Sequence, residues 1–179
     1  RIRSSYLFNT TIAGIEQAYA LVLVGCNPRL EAPVLNARIR KRWVAGNFTV
    51  GVIGPEADLT YPTTLVGTSA KDLEVIAAGK GHFAKVLKNA EKAMIIVGQG
   101  ALKGEDGAAV LNLARQAADK LGMIKPGWNG FNVLHTAAAR VGEEGVEGLE
   151  RRRRDAEVVE RALQGFPLRR QLFRVGRAP

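Results

Sequence analysis

Two short glycine-containing segments, Gly25-Cys26-Asn27-Pro28 and Gly98-Gln99-Gly100, are the places in this sequence best suited to holding a small anionic ligand. Each follows a run of five apolar residues with the length and composition of a buried strand. When such a turn leads into a helix, the first N–H groups of the helix point toward the turn, where a phosphate can bind. The residues alone predict either an anion or nucleotide loop, or sharp turns that hold nothing.

Other polar side chains offer weaker candidates for chemistry. Asp58, Thr60 and Tyr61 stand close together in sequence and could form an acid/base pair, or a loop anchored by Asx-type hydrogen bonds. No histidine or second carboxylate lies near them, which favours the loop. His82 follows a glycine and His135 stands in a predicted helix, and neither has a partner at ligand spacing. We therefore expect structural roles for both histidines.

Cysteine and histidine content limits the metal chemistry of the chain. The 179 residues contain one cysteine and two histidines. A common iron–sulfur cluster needs four thiolates, and a structural zinc site needs several Cys or His ligands. Neither can be built within this sequence, and no intrachain disulfide can form. We expect no catalytic, cofactor-binding or metal-binding residues in the chain.

The net charge of +9 raises the question of nucleic-acid binding. The charge is spread along the chain: residues 1–142 carry 17 basic and 10 acidic side chains, and residues 143–179 carry nine and seven. Aromatic residues make up only 6% and do not alternate with the basic ones as a base-stacking surface requires. The sequence thus argues against nucleic acid as a partner. No apolar run approaches the roughly 20 residues of a membrane helix, so we expect no direct membrane insertion.

Three strand–helix units are visible in the first 142 residues. Strands are predicted at 20–25, 49–54 and 93–98, and helices at 31–44, 69–79, 82–90 and 106–121. Strands that alternate with helices indicate a parallel sheet with right-handed crossovers. The predicted fold class is α/β with a doubly wound parallel sheet. In the first helix, the basic residues from Arg38 to Arg42 predict either a solvated face or a docking surface for a neighbouring subunit.

The character of the chain changes toward its C-terminus. Residues 125–130 are predicted as a loop and 131–141 as a helix. Residues 143–163 are highly charged around Arg151-Arg152-Arg153-Arg154 and predict an exposed helix, and residues 164–179 form an arginine-rich extended tail. The predicted organisation is therefore an α/β domain at 1–142, followed by a charged helix and tail at 143–179.

Several long sequence segments, in a fixed order, resemble the largest iron–sulfur subunit of respiratory complex I, in the middle of its molybdopterin-oxidoreductase-like region. These segments lie within residues 5–18, 24–29, 31–43, 52–61, 82–90, 94–102 and 105–111, and the resemblance fades after residue 137. Cys26 stands where that family usually has threonine. The cysteine-rich start and the C-terminal portion of the family have no counterpart here, so we expect a middle piece, a split-gene product or a truncated chain.

The resemblance implies a non-catalytic scaffold portion of the NADH-oxidising peripheral arm, supporting electron transfer from NADH to quinone. It implies no cofactor in this chain, with iron–sulfur clusters on the missing N-terminal part or on a separate polypeptide. Partners would be other peripheral-arm subunits and the cluster-bearing portion of the same subunit. The implied location is the matrix side of the mitochondrial inner membrane, or the cytoplasmic face of a bacterial inner membrane.

Two other interpretations remain open at this point. In the molybdopterin oxidoreductases that this family resembles, loops of the Gly-x-Asn-Pro type contact a pterin dinucleotide. The chain could thus be a fragment of such an enzyme that binds cofactor at Gly25-Cys26-Asn27-Pro28 and Gly98-Gln99-Gly100, with Cys26 as a metal ligand. It could also be a free-standing nucleotide-binding module with a basic tail.

Overall fold

The computed structural model describes Ser4 and residues 6–135, and these form an α/β fold around a five-stranded parallel sheet. The sheet contains β1 (Ala20–Val24), β2 (Thr49–Ile53), β3 (Thr64–Gly67), β4 (Ala93–Val97) and β7 (Phe131–Val133), in the order β3-β2-β1-β4-β7. A short antiparallel ribbon, β5 (Ile124–Lys125) and β6 (Trp128–Asn129), precedes the last strand. The predicted α/β class with a parallel sheet is confirmed.

Helices connect these strands and cover both faces of the sheet. They are α1 (Pro28–Glu31), α2 (Pro33–Val44), α3 (Ala70–Ala77), α4 (His82–Asn89), α5 (Gln99–Leu102) and α6 (Gly107–Lys120), with a 3-10 helix at Ala13–Gln17. In β1, Ala20, Val22 and Val24 pack into a core with α3, α4 and α6, whereas Leu21 and Leu23 pack toward α2. This alternation gives a sheet buried on both sides, as its continuous apolar strands predict.

The first predicted helix, residues 31–44, is two helices in the structure. Ala32 has φ −150° and ψ 72°, so the backbone leaves the helical conformation between α1 and α2. The cause is Pro33, whose ring disfavours the helical region for the residue before it and is tolerated in the first turn of the next helix. The turn predicted at Gly98-Gln99-Gly100 is also wrong in part, because Gln99 begins the one-turn helix α5 and Gly98 is its N-cap.

Two strands of the five-stranded sheet, β3 and β7, were not predicted. β3 is a short edge strand with exposed residues and an irregular register against β2, so it lacks the apolar signature of β1 and β4. The helix predicted at 131–141 is wrong over its first residues, because Phe131–Val133 form β7 and pair in parallel with β4. Residues 125–130, predicted as a loop, include the β5–β6 ribbon.

The sheet edge at β7 is covered by the N-terminal segment. Asn132 is fully buried there: its Nδ2 donates to Thr10 Oγ1 at 2.8 Å and its Oδ1 accepts the Thr10 N–H at 2.8 Å. The Val133 N–H donates to the Leu7 carbonyl at 3.1 Å. These bonds satisfy a buried amide and tie the two ends of the described region together.

The predicted charged helix and arginine-rich tail at 143–179 lie outside the described residues, and the predicted division into 1–142 and 143–179 stays a prediction. Within the described helices, none is long and apolar enough to cross a membrane.

Candidate functional site

The topology brings the two glycine-containing segments side by side. The strand order reverses between β1 and β4, and ligands of open α/β sheets bind in the crevice at such a point, beyond the carboxyl ends of the strands. The segment after β1 begins at Gly25, and the segment after β4 begins at Gly98. The Gly98 N–H donates to the Val24 carbonyl at 2.8 Å, which joins the two ends. The fold therefore places side by side the two segments that the sequence singled out.

The crevice at this location is filled by the chain's own backbone. Gly25 has a φ of +57°, and a Cβ placed on it would lie 2.5 Å from the Ala101 nitrogen in α5. A Cβ on Gly100 would lie 2.6 Å from the Gly25 carbonyl oxygen. The glycines thus allow the turn after β1 and helix α5 to approach in direct contact. In other proteins such glycines let the backbone approach a phosphate. Here they let the turn after β1 pack against helix α5.

Three N–H groups that could hold an anion after β1, those of Asn27, Arg29 and Leu30, already have partners. The Asn27 side chain accepts hydrogen bonds from the Arg29 and Leu30 N–H groups at 3.1 and 3.4 Å, which caps α1. The Glu31 carboxylate accepts the Asn27 N–H at 2.6 Å. A negative charge of the chain itself therefore sits where an incoming phosphate would need to bind, and like charges repel there.

Cys26 is directed into the protein, toward the Ile96 carbonyl oxygen at 3.9 Å. Burial raises the pKa of its thiol to about 12, and the Glu31 charge adds to the effect. A thiolate is the form that binds metals and acts as a nucleophile. The thiol stays protonated at neutral pH, so the geometry favours a small buried side chain over a metal ligand.

The loop between β2 and β3 lies against α1 and α2. Arg29 Nη1 donates to Asp58 Oδ2 at 2.5 Å, and Asp58 Oδ1 accepts the Thr60 N–H at 2.9 Å. The buried Tyr61 hydroxyl donates to Asn36 Oδ1 at 2.8 Å. The Thr60 N–H and the Arg29 guanidinium hold the pKa of Asp58 below its usual range, whereas burial raises the pKa of Tyr61. Of the two interpretations, the structure favours the loop anchored by Asx-type hydrogen bonds. The lowered pKa makes Asp58 a poor acid, and the raised pKa makes Tyr61 a poor source of a phenolate base.

The two histidines stand at the start of α4 and just after β7. His82 is exposed and begins α4, as predicted. His135 is not in a helix: its Nε2 lies 2.7 Å from the Tyr6 carbonyl oxygen, which can only accept, so Nε2–H is the donor. Among residues 6–135, no three His, Cys, Asp or Glu side chains cluster as a metal site would require.

The basic residues of α2 divide into two groups. Arg38 Nη1 and Lys41 Nζ both contact the Glu16 carboxylate, at 2.6 and 2.9 Å. Arg42 is buried: its guanidinium donates to the Ala18 and Gly46 carbonyls at 2.7 and 2.6 Å and lies 5.3 Å from the centroids of two aromatic rings. Arg42 therefore belongs to the interior, and the predicted basic surface at 38–42 is smaller than the sequence indicated.

Sequence reasoning missed the roles of Glu31 and Arg42. An Asn before Pro28, with an acid in the first turn, is a recognisable N-cap pattern and could have assigned Asn27 and Glu31 to capping. No signal separated Arg42 from its basic neighbours, because its buried acceptor, the Ala18 carbonyl, lies 24 residues away in sequence.

The comparisons with known proteins agree with this geometry. The family model described as molybdopterin oxidoreductase matches residues 1–167. The chain belongs to the molybdopterin oxidoreductase family. The parallel sheet and the crevice after β1 and β4 are thus features of a member of that family.

Similar proteins include components of respiratory enzymes. The chain is 45% identical over 140 residues to a subunit of the NADH-quinone oxidoreductase of Rickettsia bellii, 41% to the NADH-ubiquinone oxidoreductase 75 kDa subunit of Reclinomonas americana, and 44% to the mitochondrial NADH dehydrogenase [ubiquinone] iron-sulfur protein 1 of Solanum tuberosum. Each match covers 78% of this chain but only 19–21% of the relative, so the chain spans about a fifth of their length. The resemblance expected from the sequence is confirmed.

The family description implies a molybdopterin cofactor, and the crevice does not fit one. Gly25 packs against the backbone of Ala101 and Gly100 against that of Gly25, the first amides of α1 bond to Asn27, and the carboxylate of Glu31 accepts the Asn27 N–H. A phosphate-bearing group at this turn would have to displace these internal partners and overcome the carboxylate.

Proposed function

We propose that this chain is a non-catalytic scaffold portion of the NADH-oxidising peripheral arm of respiratory complex I, supporting electron transfer from NADH to quinone. The observation that carries the proposal is identity of 41–45% over 140 residues with proteins named as subunits of NADH dehydrogenases. That match covers 78% of the chain, and identity this high over this length supports a shared role.

The geometry of the crevice supports a scaffold over an enzyme. A cofactor site needs exposed donors and open space, whereas here the turn after β1 packs directly against α5 and the amides of Asn27, Arg29 and Leu30 have internal acceptors. The one cysteine is half-buried, and desolvation raises the pKa of its thiol to about 12, which disfavours the thiolate that a metal would need. We therefore propose that no cofactor binds to this chain, and that the iron–sulfur clusters lie on another part of the long subunit or on a separate polypeptide.

The proposed partners are other subunits of the peripheral arm and the cluster-bearing portion of the same subunit. Two of the relatives are named as components of NADH–ubiquinone enzymes, one of them mitochondrial, which supports a place on the matrix side of the mitochondrial inner membrane. Other relatives come from Rickettsia, which are bacteria. They support the alternative location, the cytoplasmic face of a bacterial inner membrane.

The test is to isolate the native assembly that holds this chain, identify its subunits by mass spectrometry, and assay iron and molybdenum in the same sample. Other complex I subunits, with iron and without molybdenum, are the expected result. A solitary chain, or molybdenum in stoichiometric amount, would contradict the proposal. The latter would favour a fragment of a molybdopterin-dinucleotide oxidoreductase.

A further inference from the structure

The outward face of α1 and α2 carries large apolar side chains that the fold leaves exposed. Leu30 is 77% exposed and Val34 is 69% exposed, and the nearby Pro33 and Ala37 are exposed too. Residues three and four apart share a face of a helix, so Val34, Ala37, Arg38 and Lys41 form one row along α2. We name the set Leu30, Pro33, Val34, Ala37, Arg38 and Lys41 the outer α2 face.

Exposure of single apolar side chains is ordinary, but these four fall within residues 30–37, around the start of one helix. The inward face of α2 is already supplied by Leu35 and Ile39, which are buried against the sheet. Leu30 and Val34 therefore do not contribute to the hydrophobic core of this domain. An apolar centre with arginines at its edge is the composition of a protein interface.

The charges around the outer α2 face are biased toward positive. Arg38 and Lys41 share the single carboxylate of Glu16, so one positive charge on this row is not neutralised. Arg40 contacts the Thr60 carbonyl oxygen at 3.4 Å rather than a carboxylate. Nearby, Arg29 and Asp58 neutralise each other, and Glu31 is held by the backbone amide of Asn27. A partner that complements this face presents apolar side chains with carboxylates beside them.

We propose that the outer α2 face docks against an apolar, acid-flanked segment of the long subunit itself, from the part of that subunit outside the region matched by this chain. The inference rests on the proposed function. The matched region makes up only 19–21% of the relatives, so about four fifths of such a polypeptide is available to cover the domain. A covering segment of the same subunit is present at a one-to-one ratio, as a permanent apolar contact requires.

Assembly of a paired variant tests the face. Leu30→Asp/Val34→Asp in the full chain places two charges in the apolar centre, and we expect recovery of the chain in the native assembly to fall about tenfold or more. The matched control is Leu65→Asp/Val75→Asp, which changes two apolar residues that are 50% and 47% exposed on β3 and α3. The control variant should assemble as the wild type does. Equal recovery of the two variants would overturn the proposal.

A photo-crosslinking amino acid at position 34, with position 65 as control, identifies the occupant in the assembled complex. Crosslinks from position 34 to an acidic peptide of the long subunit, outside the matched region, are expected. Crosslinks to another subunit, to a second copy of this chain, or to nothing would overturn the proposal and leave the complex I role intact. Failure of the wild-type chain to copurify with complex I subunits would instead contradict the proposed function.

Discussion

Replacing Gly25 by alanine measures whether the crevice between β1 and β4 is truly closed. The substitution adds one methyl group at a position with a φ of +57°, 2.5 Å from the backbone nitrogen of Ala101. Two independent costs therefore arise: the left-handed backbone conformation of an alanine, and the overlap of its Cβ with helix α5. The chain also contains glycines at which only the first cost applies. Gly46 has a φ of +85° and Gly122 a φ of +71°, and neither has any atom within 4 Å of an added Cβ.

The magnitudes separate the two costs. A left-handed conformation costs an L-residue about 1–2 kcal/mol, so Gly46→Ala and Gly122→Ala should each lower the free energy of unfolding by about that amount. Inserting a methyl group into a packed contact costs about 1–3 kcal/mol more. Gly25→Ala should therefore lower the free energy of unfolding by about 2–5 kcal/mol in total. The excess over the two controls is the energetic measure of the contact between the turn and α5.

The assay is equilibrium unfolding of the full chain in urea, followed by the fluorescence of Trp43 and Trp128. The slope with denaturant must be the same for all variants, so that the midpoints report stability alone. A loss for Gly25→Ala no greater than that for Gly46→Ala and Gly122→Ala would refute the close packing. The crevice would then have room for a ligand, and the cofactor interpretation would gain support.

Three further predictions test other parts of the molecule. Arg42→Met should lower the free energy of unfolding by about 1–3 kcal/mol, because the buried Ala18 carbonyl loses its donor; Arg40→Met, at an exposed neighbour, should change it little in the same urea titration. Asp72 accepts the Thr68 and Ser69 N–H groups and the Ser69 hydroxyl at 2.9 Å each, and these bonds lower its pKa from 3.8. Its contribution to stability should be present above about pH 4 and be lost as the pH falls through the lowered pKa; a difference between wild type and Asp72→Asn that persists at low pH would contradict this. Cys26 in the native chain should react with a disulfide reagent at pH 8 at least a hundredfold more slowly than in urea, since its thiol is buried and protonated; equal rates would show that the thiol is open.

The sequence predicts those strands whose apolar residues are continuous. β1 and β4 are each five buried apolar residues, and their bounds agree with the prediction within one residue. β7 was missed because Asn132 interrupts the apolar pattern, and its buried amide is satisfied by Thr10, 122 residues away in sequence. No local signal carries such a partner. β3 was missed for the opposite reason, since its exposed residues at the sheet edge need no apolar pattern.

The sequence predicted where the two glycine-containing segments lie in the fold, but not whether the crevice between them is open. Glycine turns at the ends of two strands, combined with a strand order that reverses between them, put Gly25 and Gly98 at one crevice. Whether that crevice is open depends on where the Glu31 carboxylate and α5 come to rest, and those positions follow from tertiary packing. Arg42 shows the same limit, because its three carbonyl acceptors are brought to it by the residues before β1 and the turn after α2.

The glycines of this crevice explain why its sequence motif cannot by itself reveal a ligand. Glycine is needed wherever a backbone must come close to something, and the geometry is the same whether the neighbour is a phosphate or a helix of the same chain. The observation that argues against a ligand at the turn after β1 is that its amide donors have internal acceptors: the Asn27 side chain accepts those of Arg29 and Leu30, and Glu31 accepts that of Asn27 itself. A turn that had to release a cofactor and bind it again could not commit these donors to permanent internal acceptors. A scaffold can, because each internal bond adds to the rigidity with which the domain presents its outer surfaces to neighbouring chains. The closed crevice and the exposed outer α2 face are therefore consistent with a single role, in which this domain acts through its surfaces.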